Sequence, residues 1–122
     1  MAEDIKNIGI SERMDMKLKE FTESDNLFVE MKDGYRLAAS IAIYKNLKFE
    51  DRVLENRKNK YDVGGVDEDS IFKNVIGEKY PHLKGQEYRS LEKLADVGVE
   101  YLAEKIADSK VIDIEKLMKD DT

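Results

Sequence analysis

The stretch Phe28–Leu47 decides the fold, and it reads Phe-Val-Glu-Met-Lys-Asp-Gly-Tyr-Arg-Leu-Ala-Ala-Ser-Ile-Ala-Ile-Tyr-Lys-Asn-Leu. In the part from 35 to 44, only Arg36 and Ser40 are polar. A surface helix carries a single apolar stripe, whereas this segment is apolar around most of its circumference. We therefore predict a central helix that begins at residue 31 or 32 and ends near residue 46.

Length and composition favour a single domain around this helix. The chain has 122 residues, of which 41% are hydrophobic and 39% are charged. This length supports one hydrophobic core. We predict a mainly α fold, a compact single-domain helical bundle over 1–122. Within it, 1–10 form an arm, 48–66 a loop and 119–122 a frayed tail.

Apolar residues spaced three and four apart predict further helices. One covers residues 12 to 22, and another covers about 86 to 107. A short helix between them is capped by Asp67 or Asp69 and stops at Gly77, and a last helix follows Asp113. The predicted core collects the apolar faces of these segments: Met14, Leu18, Phe21, Phe28, Leu37, Ala38, Ile41, Ala42, Tyr44, Phe72, Ile76, Leu91, Leu94, Ala95, Gly98, Leu102 and Ile106.

Two short segments suggest β-structure. Residues 4–10 end in the alternation Ile8-Gly9-Ile10, which is typical of either a brief strand or an extended arm. Near 62–67, Gly64-Gly65 lies between short apolar pairs, a pattern that favours a small hairpin.

Charge is distributed unevenly along a chain whose net charge is −6. Residues 45–60 carry 6 basic and 3 acidic side chains, net +3, while the residues on both sides of this segment are net acidic. Two interpretations remain open: an ordinary solvated loop, or a contact with an anion such as phosphate. In the second interpretation the candidates for DNA contact are Arg36, Lys45, Lys48, Arg52, Arg57, Lys58 and Lys60.

Four acidic residues at four-residue spacing line one face of the predicted helix over 86–107. They are Glu92, Asp96, Glu100 and Glu104. This row is either a solvated helix face or a docking surface for a basic partner.

Signatures of enzymes are absent from the sequence. There is no cysteine, one histidine, His82, and no phosphate-binding or dinucleotide-binding glycine motif. The cluster at 67–69 lacks the oxygen ligands of a calcium loop at most positions and is better explained as helix caps. We predict no enzymatic activity, no cofactor and no metal. We also predict no membrane span and a cytoplasmic location, since no apolar run approaches about 20 residues and the acidic N-terminus is unlike a secretory signal.

Two parts of the chain carry motifs of a known kind. The first comprises Leu27-Phe28, Met31-Lys32-Asp33-Gly34-Tyr35, Leu37-Ala38-Ala39 and Ala42-Ile43-Tyr44-Lys45-Asn46, and the second is Leu94-Ala95-Asp96-Val97-Gly98-Val99-Glu100-Tyr101-Leu102. They resemble small bacterial proteins associated with DNA phosphorothioation (sulfur-modification) gene clusters. The resemblance covers 27–47 and 88–107, whereas 48–86 fit the family poorly. It implies accessory work in DNA modification, restriction or phage defence, and it supplies no active-site residues.

The leading hypothesis is therefore a non-enzymatic accessory protein of such a system that binds DNA or a DNA-processing partner. One alternative is a protein–protein adaptor or inhibitor that uses the acidic helix face. A second is a transcriptional regulator of the ribbon-helix-helix kind, since an N-terminal strand followed by two helices has that order. Regulators of that kind pair their strands in a dimer, so a homodimer is also left open.

Overall fold

The computed structural model describes residues 4–106. The elements, in chain order, are β1 (Asn7–Ile10), α1 (Glu12–Lys19), a π-helical turn (Glu20–Ser24), α2 (Met31–Tyr44), β2 (Lys58–Asp62), α3 (Val63–Val66), α4 (Ile71–Lys79), a 3-10 turn (Pro81–Leu83) and α5 (Glu87–Ile106). The fold is mainly α with one two-stranded antiparallel sheet, which confirms the predicted fold class. The helix predicted after Asp113 and the tail at 119–122 lie outside the described residues.

Helices α2 and α5 form the centre of the molecule. Their contact is unusually close at Gly98, where a methyl group would lie 2.0 Å from the Ala38 carbonyl oxygen. Ala38 and Ala42 are fully buried, and such small side chains let two helix backbones approach. The predicted central helix is thus confirmed, with α5 as its main neighbour.

The buried face of α2 differs in part from the predicted core. Tyr35 is fully buried and donates a hydrogen bond from its hydroxyl, whereas Tyr44 is 58% exposed. The inclusion of Tyr44 in the core was wrong. The buried face is centred on the alanines, and Tyr44 follows half-buried Leu37 by two turns along the edge of that face.

The predicted hairpin near 62–67 is also wrong. Residues Val63–Val66 form the short helix α3, because the Asp62 carboxylate accepts a hydrogen bond from the Gly65 amide at 2.7 Å and caps that turn. Strand β2 lies within the stretch predicted as loop and pairs antiparallel with β1, with Ile8 opposite Tyr61. The pairing places fully buried Ile8 and Ile10 over the helices. Burial of these apolar side chains stabilises the sheet, and the prediction of a solvated loop did not take it into account.

Helix α4 begins later and ends later than predicted. The Asp67 carboxylate accepts hydrogen bonds from the amides of Phe72 and Lys73 at 2.9 and 3.1 Å, so this acid does cap the helix, from a position upstream. Gly77 continues the helix, which ends at Lys79 because the residue before Pro81 avoids helical backbone angles. Among residues 4–106, no helix is long and apolar enough to cross a membrane.

Candidate functional site

The acidic row of α5 and the basic segment that follows α2 bind each other. Arg52 donates from Nε to Asp96 Oδ2 and from Nη1 to Glu100 Oε1, both at 2.8 Å. Arg57 donates from Nη2 to Glu92 Oε1, also at 2.8 Å. The two charged surfaces that the sequence offered as separate sites are therefore the two sides of one internal contact.

The same carboxylates hold the backbone of β1 and the residue after it. The amide of Gly9 donates to Glu92 Oε1 at 3.0 Å, and the amide of Ser11 donates to Asp96 Oδ1 at 2.8 Å. The carbonyl of Gly9 accepts from the hydroxyl of Tyr35 at 2.8 Å. Because a buried backbone group without a partner is costly, these three side chains stabilise a strand edge that would otherwise need another strand.

Burial falls along the acidic row from its first half to its last residue. The exposed fractions of the side chains of Asp96, Glu92 and Glu100 are 1%, 11% and 34%, and Glu104 is exposed. The interpretation as a solvated face, and the role in partner docking, are wrong for Glu92 and Asp96. Buried carboxylates must be paired, and here they are paired within the chain.

The ion pairs of this network shift the pKa values of three of its members in the direction that favours their charged forms. The hydrogen bond from Arg52 lowers the pKa of the Glu100 carboxyl below its ordinary value. Burial alone would lower the pKa of Arg52, but its hydrogen bonds to Glu100 and Asp96 outweigh burial and raise it. The hydrogen bond to Glu92 likewise raises the pKa of Arg57. These groups stay ionised around neutral pH and are suited to holding segments together.

Two more of the DNA-contact candidates are bound inside the chain. Arg36 donates to the carbonyls of Gly65 and Val66 at 2.9 and 3.0 Å, and Lys60 lies 2.8 Å from the carboxylate of Asp15. With Arg52 and Arg57, four of the seven predicted contact residues have partners in the fold. The other three remain at the surface to different extents: Lys45 is half-buried, and Lys48 and Lys58 are exposed.

His82 and Asp67 each have a side-chain partner within the described part of the chain. His82 is exposed and its Nε2 lies 3.1 Å from Glu50 Oε1. Asp67 serves α4 as a cap and also accepts from the hydroxyl of Tyr88 at 3.0 Å. Across residues 4–106, no three His, Cys, Asp or Glu side chains are arranged to hold a metal ion.

An open groove of about 450 Å³ runs beside the ion-pair network. We call it the α1 groove, and its lining residues are Ser11, Glu12, Arg13, Met16, Arg52, Val53, Glu55, Asn56, Asp96 and Glu100. Two large apolar side chains stand open to solvent on it, Met16 with 65% and Val53 with 75% exposure. Sequence reasoning missed this groove. A signal existed in Met16, which lies off the apolar stripe of α1, but nothing in the sequence joined it to Val53.

Comparisons of the chain with protein-family models, with curated proteins and with solved structures found no match. The resemblance to phosphorothioation-associated proteins therefore stays a prediction.

Proposed function

We propose that this chain is a non-enzymatic accessory protein of a DNA modification or phage-defence system, and that it works by binding a DNA-processing protein. The pathway comes from the resemblance of 27–47 and 88–107 to the phosphorothioation-associated family. The mode of action comes from one observation: the arginines of the basic segment are bound to carboxylates of α5.

Phosphate recognition needs cationic groups that are free to form charge-assisted hydrogen bonds with the ligand, and the bidentate contacts that fix its geometry come from guanidinium groups. Arg52 spends two of its donors on Asp96 and Glu100, and Arg57 donates to Glu92 and to the carbonyl of Asn7 at 2.9 Å. A DNA phosphate would have to displace carboxylates that are held from the other side by backbone amides. The overall charge of −6 adds a general repulsion between this protein and DNA.

The structure does not favour the ribbon-helix-helix alternative, because the N-terminal strand that such a regulator needs is already paired. Its strands pair between two copies and present side chains to a DNA groove. Here β1 pairs with β2 of the same chain, and Gly9 binds Glu92 and Tyr35 through its amide and carbonyl. Ile8 and Ile10 are fully buried, so they are not presented to a ligand.

A binding titration tests the choice between DNA and protein. Fluorescence anisotropy is measured with labelled duplexes, with and without phosphorothioate linkages, at salt near 50 mM and near 200 mM, where phosphate contacts differ most in strength. We expect no saturable binding to either duplex. Saturable binding that weakens with salt, and weakens again in Lys48→Glu and Lys58→Glu, would overturn the protein-binding mode.

The partner itself is sought among the DNA-processing proteins encoded beside the gene for this chain. Each is co-expressed with it, and complexes are separated by size-exclusion chromatography. We expect one of them to elute together with this chain at fixed stoichiometry. If every neighbour elutes alone, or if the neighbouring genes have no role in DNA processing, the proposed function is rejected.

A further inference from the structure

The α1 groove is lined by two large apolar side chains that are both exposed to solvent. Met16 of α1 and Val53 of the segment before β2 are both largely exposed and line the same concavity. Single exposed apolar residues need no explanation, whereas two that line one groove offer an apolar side chain of a partner a shared surface to contact.

The charge of the groove is acidic. Its lining holds four carboxylates, those of Glu12, Glu55, Asp96 and Glu100, and two guanidinium groups, those of Arg13 and Arg52. Both arginines are already bound to Glu100. Glu12 and Glu55 form no ion pair with any described residue, so their charges remain for a ligand.

The walls of the groove are held in place by hydrogen bonds within the chain, so the groove is preformed. The amide of Glu12 donates to the carbonyl of Glu55 at 3.1 Å, which ties the start of α1 to the opposite wall. Beneath them, Asp96 fixes Ser11 at 2.8 Å and Arg52 at 2.8 Å. A preformed site saves the ordering entropy that a flexible one loses on binding.

We infer that the α1 groove is the docking site for a segment of the protein partner that presents an apolar side chain next to a lysine or arginine. The apolar side chain would lie between Met16 and Val53, and the basic group would meet Glu12 and Glu55. The volume of about 450 Å³ suits two or three side chains of a short segment. This inference rests on the proposed function for the identity of the partner, but its chemistry is tested separately.

The first test uses a defined probe, a labelled twelve-residue peptide of alternating lysine and leucine. Two matched peptides replace lysine by glutamate or leucine by serine. We expect only the lysine–leucine peptide to bind. On titration of the protein labelled at its methionine methyl groups, the Met16 resonance should shift while that of buried Met14 stays in place.

Variants then locate the site on the protein. The double variant Met16→Ser with Val53→Ser should weaken peptide binding by at least about tenfold, because it removes two apolar contact surfaces. Val29→Ser changes an even more exposed apolar residue that does not line the groove and should stay within about twofold.

A second pair of variants tests the charge. Glu12→Gln with Glu55→Gln should weaken binding about three- to tenfold, because two unpaired carboxylates of the groove are lost. The control, Glu68→Gln with Glu78→Gln, makes the same change in net charge at exposed positions outside the groove. If both double variants weaken binding equally, the peptide responds only to the net charge of the protein, and this would overturn the inference.

The remaining outcomes separate the groove from the proposed function. If the lysine–leucine peptide does not bind, or the partner binds Met16→Ser with Val53→Ser as tightly as the wild type, the groove inference fails while the partner stands. If the peptide binds in the groove but every neighbouring protein elutes alone, the proposed function fails and the groove stands. Self-association of the wild type that the same double variant abolishes would identify a second copy as the occupant and overturn the inference.

Discussion

The two halves of the acidic row on α5 have the same chemistry and the same spacing but opposite surroundings. Glu92 and Asp96 are buried and bind backbone amides and arginines, whereas Glu100 is one-third exposed and Glu104 lies in solvent. The difference arises because β1 and Ser11 bind only the first half of the row, whereas the segment before β2 reaches as far as Glu100 through Arg52. Helical spacing fixes the direction of a side chain, and segments distant in sequence decide whether anything covers it.

Removal of the most deeply buried acid should have the largest effect. Asp96→Ala leaves the Ser11 amide without an acceptor and part of the charge of Arg52 without compensation. We expect a loss of about 3–5 kcal/mol in the free energy of unfolding, measured by urea denaturation. Asp96→Asn is the matched control and should lose less, because its carbonyl oxygen still accepts a hydrogen bond. A loss under about 1 kcal/mol for Asp96→Ala would contradict the role of this carboxylate as an anchor.

The fold was predictable from sequence wherever one segment supplies its own pattern. The apolar circumference of α2 and the regular spacing in α5 predicted both central helices within a few residues. Strand β2 was not predictable, because its sequence Lys-Asn-Lys-Tyr-Asp has no apolar alternation. Its pairing depends on Ile8 and Ile10 of β1, which need cover that only the folded chain provides.

A substitution at Gly98 tests whether the close contact of α5 with α2, which holds the first half of the acidic row in its buried position, is needed for stability. In Gly98→Ala the new methyl group would meet the Ala38 carbonyl oxygen at 2.0 Å, which is backbone and cannot rotate away. Helix α5 would have to move outward, and we expect a loss of about 2–3 kcal/mol in the free energy of unfolding. Gly34→Ala is the control, since its nearest contacts are side chains of Phe28 and Leu18, and it should cost less. Equal costs would show that the helix contact at Gly98 yields easily.

Glu92 should show an intermediate effect. Glu92→Gln keeps an oxygen for the Gly9 amide but loses the charge that pairs with Arg57. We expect a loss of about 1–2 kcal/mol by urea denaturation. The double variant Glu92→Gln with Arg57→Gln provides the check, because removal of both charges should cost less than the sum of the single changes. Additive costs would mean that the two side chains are not energetically coupled.

The candidate site was less predictable than the fold. Sequence reasoning correctly selected the charged residues of 45–60 and of the α5 row as unusual, but it considered only a solvated surface or an external ligand for each set. Their mutual pairing needs the long return of the chain from Arg57 to Glu92, which no local pattern encodes. The α1 groove was missed for the same reason, since Met16 and Val53 come to line one groove only after folding.

Glu100 lies at the boundary between the two halves, and its contribution to stability should depend on pH. Arg52 lowers the pKa of the Glu100 carboxyl in the folded protein, so the folded state binds this proton less tightly than the unfolded chain. The resulting stabilisation is present above the unfolded pKa of about 4.3 and is lost as the pH falls through the lowered folded pKa. The wild type should therefore be more stable than Glu100→Gln near pH 6, and the difference should shrink steadily towards pH 3. A difference that is the same at both pH values would exclude this linkage.

Glu104 should show the smallest effect and so mark the outer limit of the network. Its side chain is exposed and has no ion pair among residues 4–106, and it lies one turn from the like charge of Glu100. Glu104→Gln removes a weak repulsion at four-residue spacing, so the free energy of unfolding should stay unchanged or rise by about 0.2–0.5 kcal/mol. Urea denaturation alongside Asp96→Ala gives the comparison directly. A loss above about 1 kcal/mol would mean that a covering segment extends over the end of α5, and the contrast between the two halves of the row would then disappear.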